Sequence, residues 1–219
     1  MHNLLIIANW KENKTVDESL EYMEEFKSAY VSREDIKVII CPSDTSLSAL
    51  FQFVLENSLK VFLGAQDISE FEEGAHTGET AADQVKGLAQ YVIIGHSERR
   101  AMGETDETIE KKILNAKAAG ISPILCVQSE NTHVFPGVEV VAYEPIEAIG
   151  TGNPDTPENA QNVASMIKSK NPEVKYVLYG GSVTSENVSG FTNQQNLSGV
   201  LVGGASLDAP EFSQIIKNA

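Results

Sequence analysis

Basic residues are scarce in this sequence. Sixteen Lys and Arg stand against 31 Asp and Glu, a formal charge of −15 over 219 residues. Nucleic acid and anionic membrane surfaces both select a positive patch, so neither is expected as a partner. Cysteine is scarcer still. Cys41 and Cys126 are the two present. Each ends an apolar run and neither has metal-ligand spacing, so they read as buried free thiols of a reducing compartment rather than as a disulfide. No apolar stretch reaches the roughly 18–20 residues of a membrane span, and Met1-His2-Asn3 leads into an apolar run without a basic leader. A cytoplasmic location is expected. Linkers, charge blocks and low-complexity stretches are also lacking, so residues 1–219 are read as one domain.

What is present is an alternation that runs from end to end. Short apolar, β-branched runs predict strands over Leu4–Ala8, Val38–Cys41, Lys60–Gly64, Tyr91–Ile94, Pro123–Val127, Val138–Ala142, Tyr176–Tyr179 and Val200–Val202. Amphipathic patterns between them predict helices over Val16–Tyr30, Ser46–Glu56, Ala82–Ala89, Thr105–Ala119, Pro157–Lys170, Ser185–Phe191 and Ala209–Lys217. Near-continuous hydrophobic strands separated by helices mark a parallel sheet covered on its outside, and eight such strands can close into a barrel. The fold class expected is therefore α/β, a (β/α)8 barrel. Asp17, Thr105 and Thr156 stand where helix N-caps belong, and Pro157 at a first helical position.

One connection is too short for this pattern. Between Val127 and Val138 lie ten residues, Gln128 to Gly137. A crossover must return along a strand of about five residues, roughly 16 Å. A helix rising ~1.5 Å per residue uses about eleven residues for that before any turns. The fifth crossover is expected to be extended or a single helical turn, with its helix largely missing.

Polar residues collect at the carboxyl ends of the strands, which is where such barrels place their chemistry. Asn9-Trp10-Lys11 follows the first strand. An isolated lysine is ordinarily a solvated surface charge, but at a strand end it can meet a phosphate or a developing oxyanion, with Asn9 donating to the same oxygen. Gly95-His96-Ser97-Glu98 follows the fourth strand, and a short helical turn over Ser97–Met102 fits after His96. A helix N-terminus disfavours a positive charge, which would keep the ring neutral and able to donate to a carbonyl. Without company, His96 would read as a satisfied core histidine. Glu98 is either a partner for the helix dipole or an organiser of Lys11 and His96.

Glu144 follows the sixth strand, where a carboxylate has no structural need to be. Pro145 and then Ala148-Ile149-Gly150-Thr151-Gly152 have the composition of a lid that excludes water from such a base. Tyr179-Gly180-Gly181-Ser182 and Val202-Gly203-Gly204-Ala205 end strands seven and eight. Glycine pairs there let backbone amides approach an anion, and tight turns are the plain alternative. Together these residues describe an enzyme that moves a proton on a small phosphorylated carbonyl compound.

Those segments, in this order from residue 9 to residue 205, closely resemble the triosephosphate isomerase family. The resemblance implies a TIM barrel that interconverts dihydroxyacetone phosphate and D-glyceraldehyde 3-phosphate with neither cofactor nor metal. It implies Glu144 as base, neutral His96 as electrophile and proton shuttle, and Lys11 and Asn9 on the enediolate oxygen and phosphate charge. It also implies Glu98 in the catalytic set and Gly150, Ser182, Gly203 and Gly204 around the phosphate. A homodimer is expected, with residues 66–79 inserting into the neighbour, Thr77 reaching its Asn9 region and Glu79 pairing with its Arg99.

Three departures from the family pattern stand out. The fifth helix is missing, as in compact archaeal members. Glu147 replaces the hinge Trp, and Ser129 replaces the Glu that normally meets that Trp in the open lid. Losing the helix would bare an apolar flank near Val127, Val134 and Phe135. Neighbouring helices closing over it leave a dimer, and a second dimer packing there gives a tetramer; the acidic charge favours the dimer. Two other readings remain: a different phosphate-binding barrel isomerase or lyase, and a homologue without catalysis.

Overall fold

A computed structural model describes residues 4–145 and 153–219. The expectations for Glu147 and Gly150 fall on the intervening segment and lie outside the described residues. Eight strands, β1 (Leu4–Asn9), β2 (Ile36–Cys41), β3 (Phe62–Ala65), β4 (Tyr91–Ile94), β5 (Ser122–Val127), β6 (Val140–Tyr143), β7 (Tyr176–Tyr179) and β8 (Gly199–Val202), form a closed parallel barrel in sequence order. Closure is made by β8 against β1, with Ile6 beside Val200 and Ala8 beside Val202. Successive strand side chains face opposite sides, and burial divides accordingly. Leu5, Ile7, Ile39, Ile93, Ile124, Cys126, Ala142 and Leu178 belong to the cluster that fills the barrel. Their neighbours Ile6, Ala8, Val38, Ile40, Val92, Ile94, Leu125 and Val141 meet the helices. Strands buried on both faces read as unbroken apolar runs for this reason.

The helices are α1 (Val16–Ala29), α2 (Asp44–Glu56), α3 (Ala82–Val85), α4 (Ser97–Ala101), α5 (Asp106–Ala118), α6 (Pro157–Lys170), α7 (Val188–Thr192) and α8 (Ala209–Asn218). Thr105 and Thr156 cap α5 and α6 as expected, and Pro157 opens α6. Asp17 does not cap α1. The cap is Thr15, whose hydroxyl accepts from Glu18 N at 3.3 Å while Glu18 Oε2 accepts from Thr15 N at 2.8 Å. That reciprocal box satisfies two orphan donors at once, and Asp17 is left in the first turn beside the helix dipole. The helix expected over Ala82–Ala89 stops after Val85, because Lys86 turns extended (ψ 137) and Gly87 takes a positive φ of 86°. The helix expected over Ser185–Phe191 begins only at Val188. Ser185 N is instead taken by Glu211 Oε1 at 2.7 Å.

The fifth crossover contains no helix, as its length demands. Thr132 Oγ1 accepts from Gln128 N and Ser129 N at 3.2 Å each, closing one turn. Lys170 Nζ of α6 donates to Glu130 O and Asn131 Oδ1 at 2.9 Å each, and Gly137 N donates to Glu173 Oε2 at 2.7 Å. Gly137 has φ 75°, and a Cβ there would lie 1.9 Å from Lys117 Nζ of α5. The apolar flank expected to be bare is covered. Val127 and Val138 are fully buried, Phe135 is 6% exposed, and Val134 packs against the same core. The short segment lays its own Phe135 side chain into the core between the barrel and its helices. Among the described residues no helix is long and apolar enough to cross a membrane.

Candidate active site

The site is assembled at the carboxyl ends of the strands. Gly95 follows β4 with φ 70°, a left-handed turn that suits glycine, and brings His96 to the N-cap of α4. His96 Nδ1 accepts the backbone N–H of Glu98 at 3.2 Å. A nitrogen that accepts carries a lone pair, so the ring proton belongs on Nε2. Nε2 lies 3.1 Å from Glu144 Oε1. The helix cap thus selects the neutral Nε2–H tautomer and aims it into the barrel mouth.

Glu144 extends β6 by one residue, its N–H donating to Val127 O at 2.8 Å. Its second carboxylate oxygen accepts Ser97 N–H at 3.2 Å. His96 and Glu144 are both buried, at 6% and 3% exposure. Gly180 makes room for the carboxylate, since a Cβ there would stand 2.9 Å from Glu144 Cγ and 3.4 Å from Tyr143 O. Below them lies Cys126, whose thiol is pushed well above its ordinary range by burial and further by the adjacent Glu144 carboxylate. It is a neutral floor to the site.

Lys11 is held in a costly conformation. Its φ of 53° places a non-glycine residue in the left-handed region, which costs on the order of 1–3 kcal/mol and persists only where surroundings fix it. Asn9 Oδ1 accepts Lys11 N–H at 3.1 Å, and Gln66 Nε2 donates to Lys11 O at 2.9 Å and Cys41 O at 3.1 Å. Lys11 Nζ sits 2.5 Å from Glu98 Oε1. Glu98 is therefore an organiser of Lys11. Its other oxygen is 3.6 Å from His96 Nδ1, and it does not itself line the cavity.

Asn9, Lys11, His96, Glu144, Ser182, Gly203 and Gly204 open onto one cavity of about 710 Å³. Lys11 is the only Lys or Arg among the described residues that line it. Gly203 O accepts from Ser206 N at 2.8 Å and Ser206 Oγ at 2.7 Å, which shapes the 3-10 turn Gly204–Leu207 after β8. On the far side of α4, Arg99 pairs with Asp67 at 3.0 Å. Lys112 pairs with Asp67 at 2.7 Å and Glu104 at 2.5 Å. In the protruding loop Phe71 stacks on His76 at 4.0 Å, and Thr77 is exposed.

All the expected site residues that are described thus converge. Gln66, the Ser97 amide and Cys126 were not anticipated as parts of the site, and Gly180 was anticipated only as part of a phosphate turn. Each acts across a gap of many residues, where spacing carries no signal. What the arrangement offers is a buried carboxylate beside a neutral N–H donor, one cation, and glycine turns across a small cavity.

Comparison with known proteins agrees with that chemistry. The family model described as triosephosphate isomerase matches residues 4–219. A triosephosphate isomerase of Endomicrobium trichonymphae is 37% identical, with 99% of each chain covered. One from Aquifex aeolicus is 38% identical over 97% of this chain and 98% of that protein. The crystal structure of triosephosphate isomerase from Bartonella henselae superposes with a TM-score of 0.85 at 28% identity, covering 99% of this chain and 98% of that one.

Proposed function

The chain belongs to the triosephosphate isomerase family, and from that premise we propose how its own residues carry the reaction. The reaction is the interconversion of dihydroxyacetone phosphate and D-glyceraldehyde 3-phosphate. Glu144 removes the proton from the carbon next to the carbonyl, and the C–H electron pair becomes the C=C bond of the enediolate. The carbonyl electrons move onto oxygen, where His96 Nε2–H donates and Lys11 Nζ and the Asn9 amide stabilise the charge. His96 then carries protons between the two oxygens, and Glu144, whose carboxyl proton exchanges with solvent during the lifetime of the enediolate, delivers a proton to the neighbouring carbon. To reach substrate, Glu144 exchanges its contacts with His96 Nε2 and Ser97 N for the substrate C–H.

Ser182, Gly203, Gly204 and Gly150 hold the phosphate through backbone amides, and Lys11 supplies the positive charge that a chain of net charge −15 otherwise withholds. The observation that carries this reading is the 3.1 Å approach of the buried His96 Nε2 to the buried Glu144 carboxylate at the mouth of one barrel. A coupled assay with glyceraldehyde 3-phosphate in D2O tests it. Turnover with solvent deuterium on the carbon next to the carbonyl is expected. Absence of turnover above the uncatalysed rate overturns the reading.

The functional unit is proposed to be a cytoplasmic homodimer, with residues 1–219 acting as one domain. Support for the dimer comes from the exposed loop around Thr77 and from the covered Phe135 flank, which removes the reason for a tetramer. Support for the compartment comes from two buried free thiols. Light scattering should give about 47 kDa from chains of 23.7 kDa. A 24 kDa active monomer would contradict the intersubunit role of residues 66–79.

A further inference from the structure

The turn between β7 and α7 contains an asparagine whose contacts are out of keeping with its position. Asn187 occupies the N-cap of α7, where an asparagine side chain ordinarily accepts from the helix amides that follow it. It makes no such bond. Its carboxamide reaches back instead. Oδ1 accepts the Thr184 N–H at 2.9 Å, and Nδ2 donates to Ser182 O at 2.9 Å. One planar group therefore fixes the two peptide units that flank Val183, inside the turn read above as a phosphate cradle. Asn187 also lines the same cavity as Ser182 and Lys11.

The consequence is electrostatic. A carbonyl oxygen turned toward a phosphate repels it, while an amide N–H attracts it. In a turn of glycine and serine, peptide planes rotate at little cost unless something holds them. The Asn187 amide engages the Ser182 carbonyl, and so keeps that dipole from facing the anion. From the opposite side, Glu211 of α8 accepts Ser185 N at 2.7 Å and Ser185 Oγ at 2.9 Å. The turn is braced on both sides. Val183 N–H also donates to Gly181 O at 2.9 Å, and the Asn187 side chain is the group that holds both the Ser182 carbonyl and the Thr184 amide.

We propose that Asn187 is a positioning residue for phosphate recognition, acting by orienting the Ser182–Thr184 peptides and contributing nothing to proton transfer. This rests on the phosphate reading of the Gly180–Ser182 turn. The substitution Asn187→Ala removes both bonds, while Asn187→Asp keeps the acceptor for Thr184 N and turns the donor into a second acceptor facing Ser182 O. Asp should be the worse of the two.

Three readouts are taken on wild type and both variants: KM and kcat for glyceraldehyde 3-phosphate, the inhibition constant of inorganic phosphate, and kcat/KM for glyceraldehyde, which lacks phosphate. In Asn187→Ala, KM and the phosphate inhibition constant should rise together by about 5- to 50-fold, as loss of one or two hydrogen bonds implies. Meanwhile kcat and the glyceraldehyde rate should stay within about threefold. Circular dichroism should show both variants folded. An inhibition constant within twofold of wild type in both variants overturns the proposal, as does an equal loss with glyceraldehyde. If inorganic phosphate fails to compete in the wild type, the phosphate reading of the turn fails first.

Discussion

His96 Nε2 stands 3.1 Å from Glu144 Oε1 while its Nδ1 accepts the Glu98 amide. The two contacts together fix which nitrogen holds the proton. Nitrogen-15 NMR at neutral pH should show a neutral ring protonated at Nε2. His96→Asn keeps a donor but no shuttle, so turnover should fall by about 10²–10⁴ with substrate still bound. An unchanged rate would remove His96 from the electrophile's role.

Gly180→Ala should damage catalysis without damaging the fold. Gly180 is outside the positive-φ set, so alanine meets no left-handed strain there, but the new Cβ would meet Glu144 Cγ at 2.9 Å. A displacement of the base by about 1 Å can cost on the order of a hundredfold. The expected result is a kcat lower by about 10- to 100-fold with a melting temperature within a few degrees of wild type. A kcat within threefold would mean that Glu144 has room this geometry denies it.

Gln66→Leu removes the donor that holds Lys11 O and Cys41 O. Cys41 O keeps its bond from Trp10 N at 3.1 Å, but Lys11 O loses its Gln66 donor. An unpaired carbonyl shielded from water costs about 1–3 kcal/mol, and Lys11 would lose a restraint on its positive φ. Denaturant titration should show a loss of that size, and kcat/KM should fall about tenfold. A variant with wild-type kcat/KM would show that Asn9 and Glu98 suffice to place Lys11.

Alkaline pH should weaken the fold through the two thiols. Burial raises both Cys41 and Cys126 above their ordinary range, and Glu144 adds to the effect at Cys126. Unfolded thiols ionise near pH 8.5, at about their free value. Below that pH both states keep their protons and the contribution is whole. Above it the unfolded chain loses protons that the folded chain retains, so stability declines as pH rises toward the folded values. Thermal midpoints should drop from about pH 8.5 upward, and the slope should be shallower in Cys41→Ala. Equal slopes would put the alkaline loss elsewhere.

The barrel was legible because each strand is buried on both faces and so appears as an unbroken apolar run, Tyr91–Ile94 and Tyr176–Tyr179 being examples. The missing fifth helix followed from chain length against the rise of a helix. Asn9, Lys11, His96 and Glu144 were legible because a polar residue directly after such a run has one place to go. What spacing could not give is contact between distant segments. The cover that Phe135 provides, the grip of Gln66 on Lys11, and the approach of Cys126 to Glu144 depend on how strands adjoin in space. The early end of α3 at Lys86, by contrast, was marked by Gly87, a local stop signal that the apolar pattern of the segment outweighed.

Glu144, buried beside His96 Nε2, is assigned as the base, and Glu144→Asp probes that role. The substitution keeps the charge but withdraws the carboxylate by roughly 1 Å, a change that can cost on the order of a hundredfold in rate. Steady-state kinetics on glyceraldehyde 3-phosphate, beside circular dichroism to verify the fold, should show kcat reduced by about that factor in a fully folded protein. A kcat within about threefold of wild type would contradict the assignment.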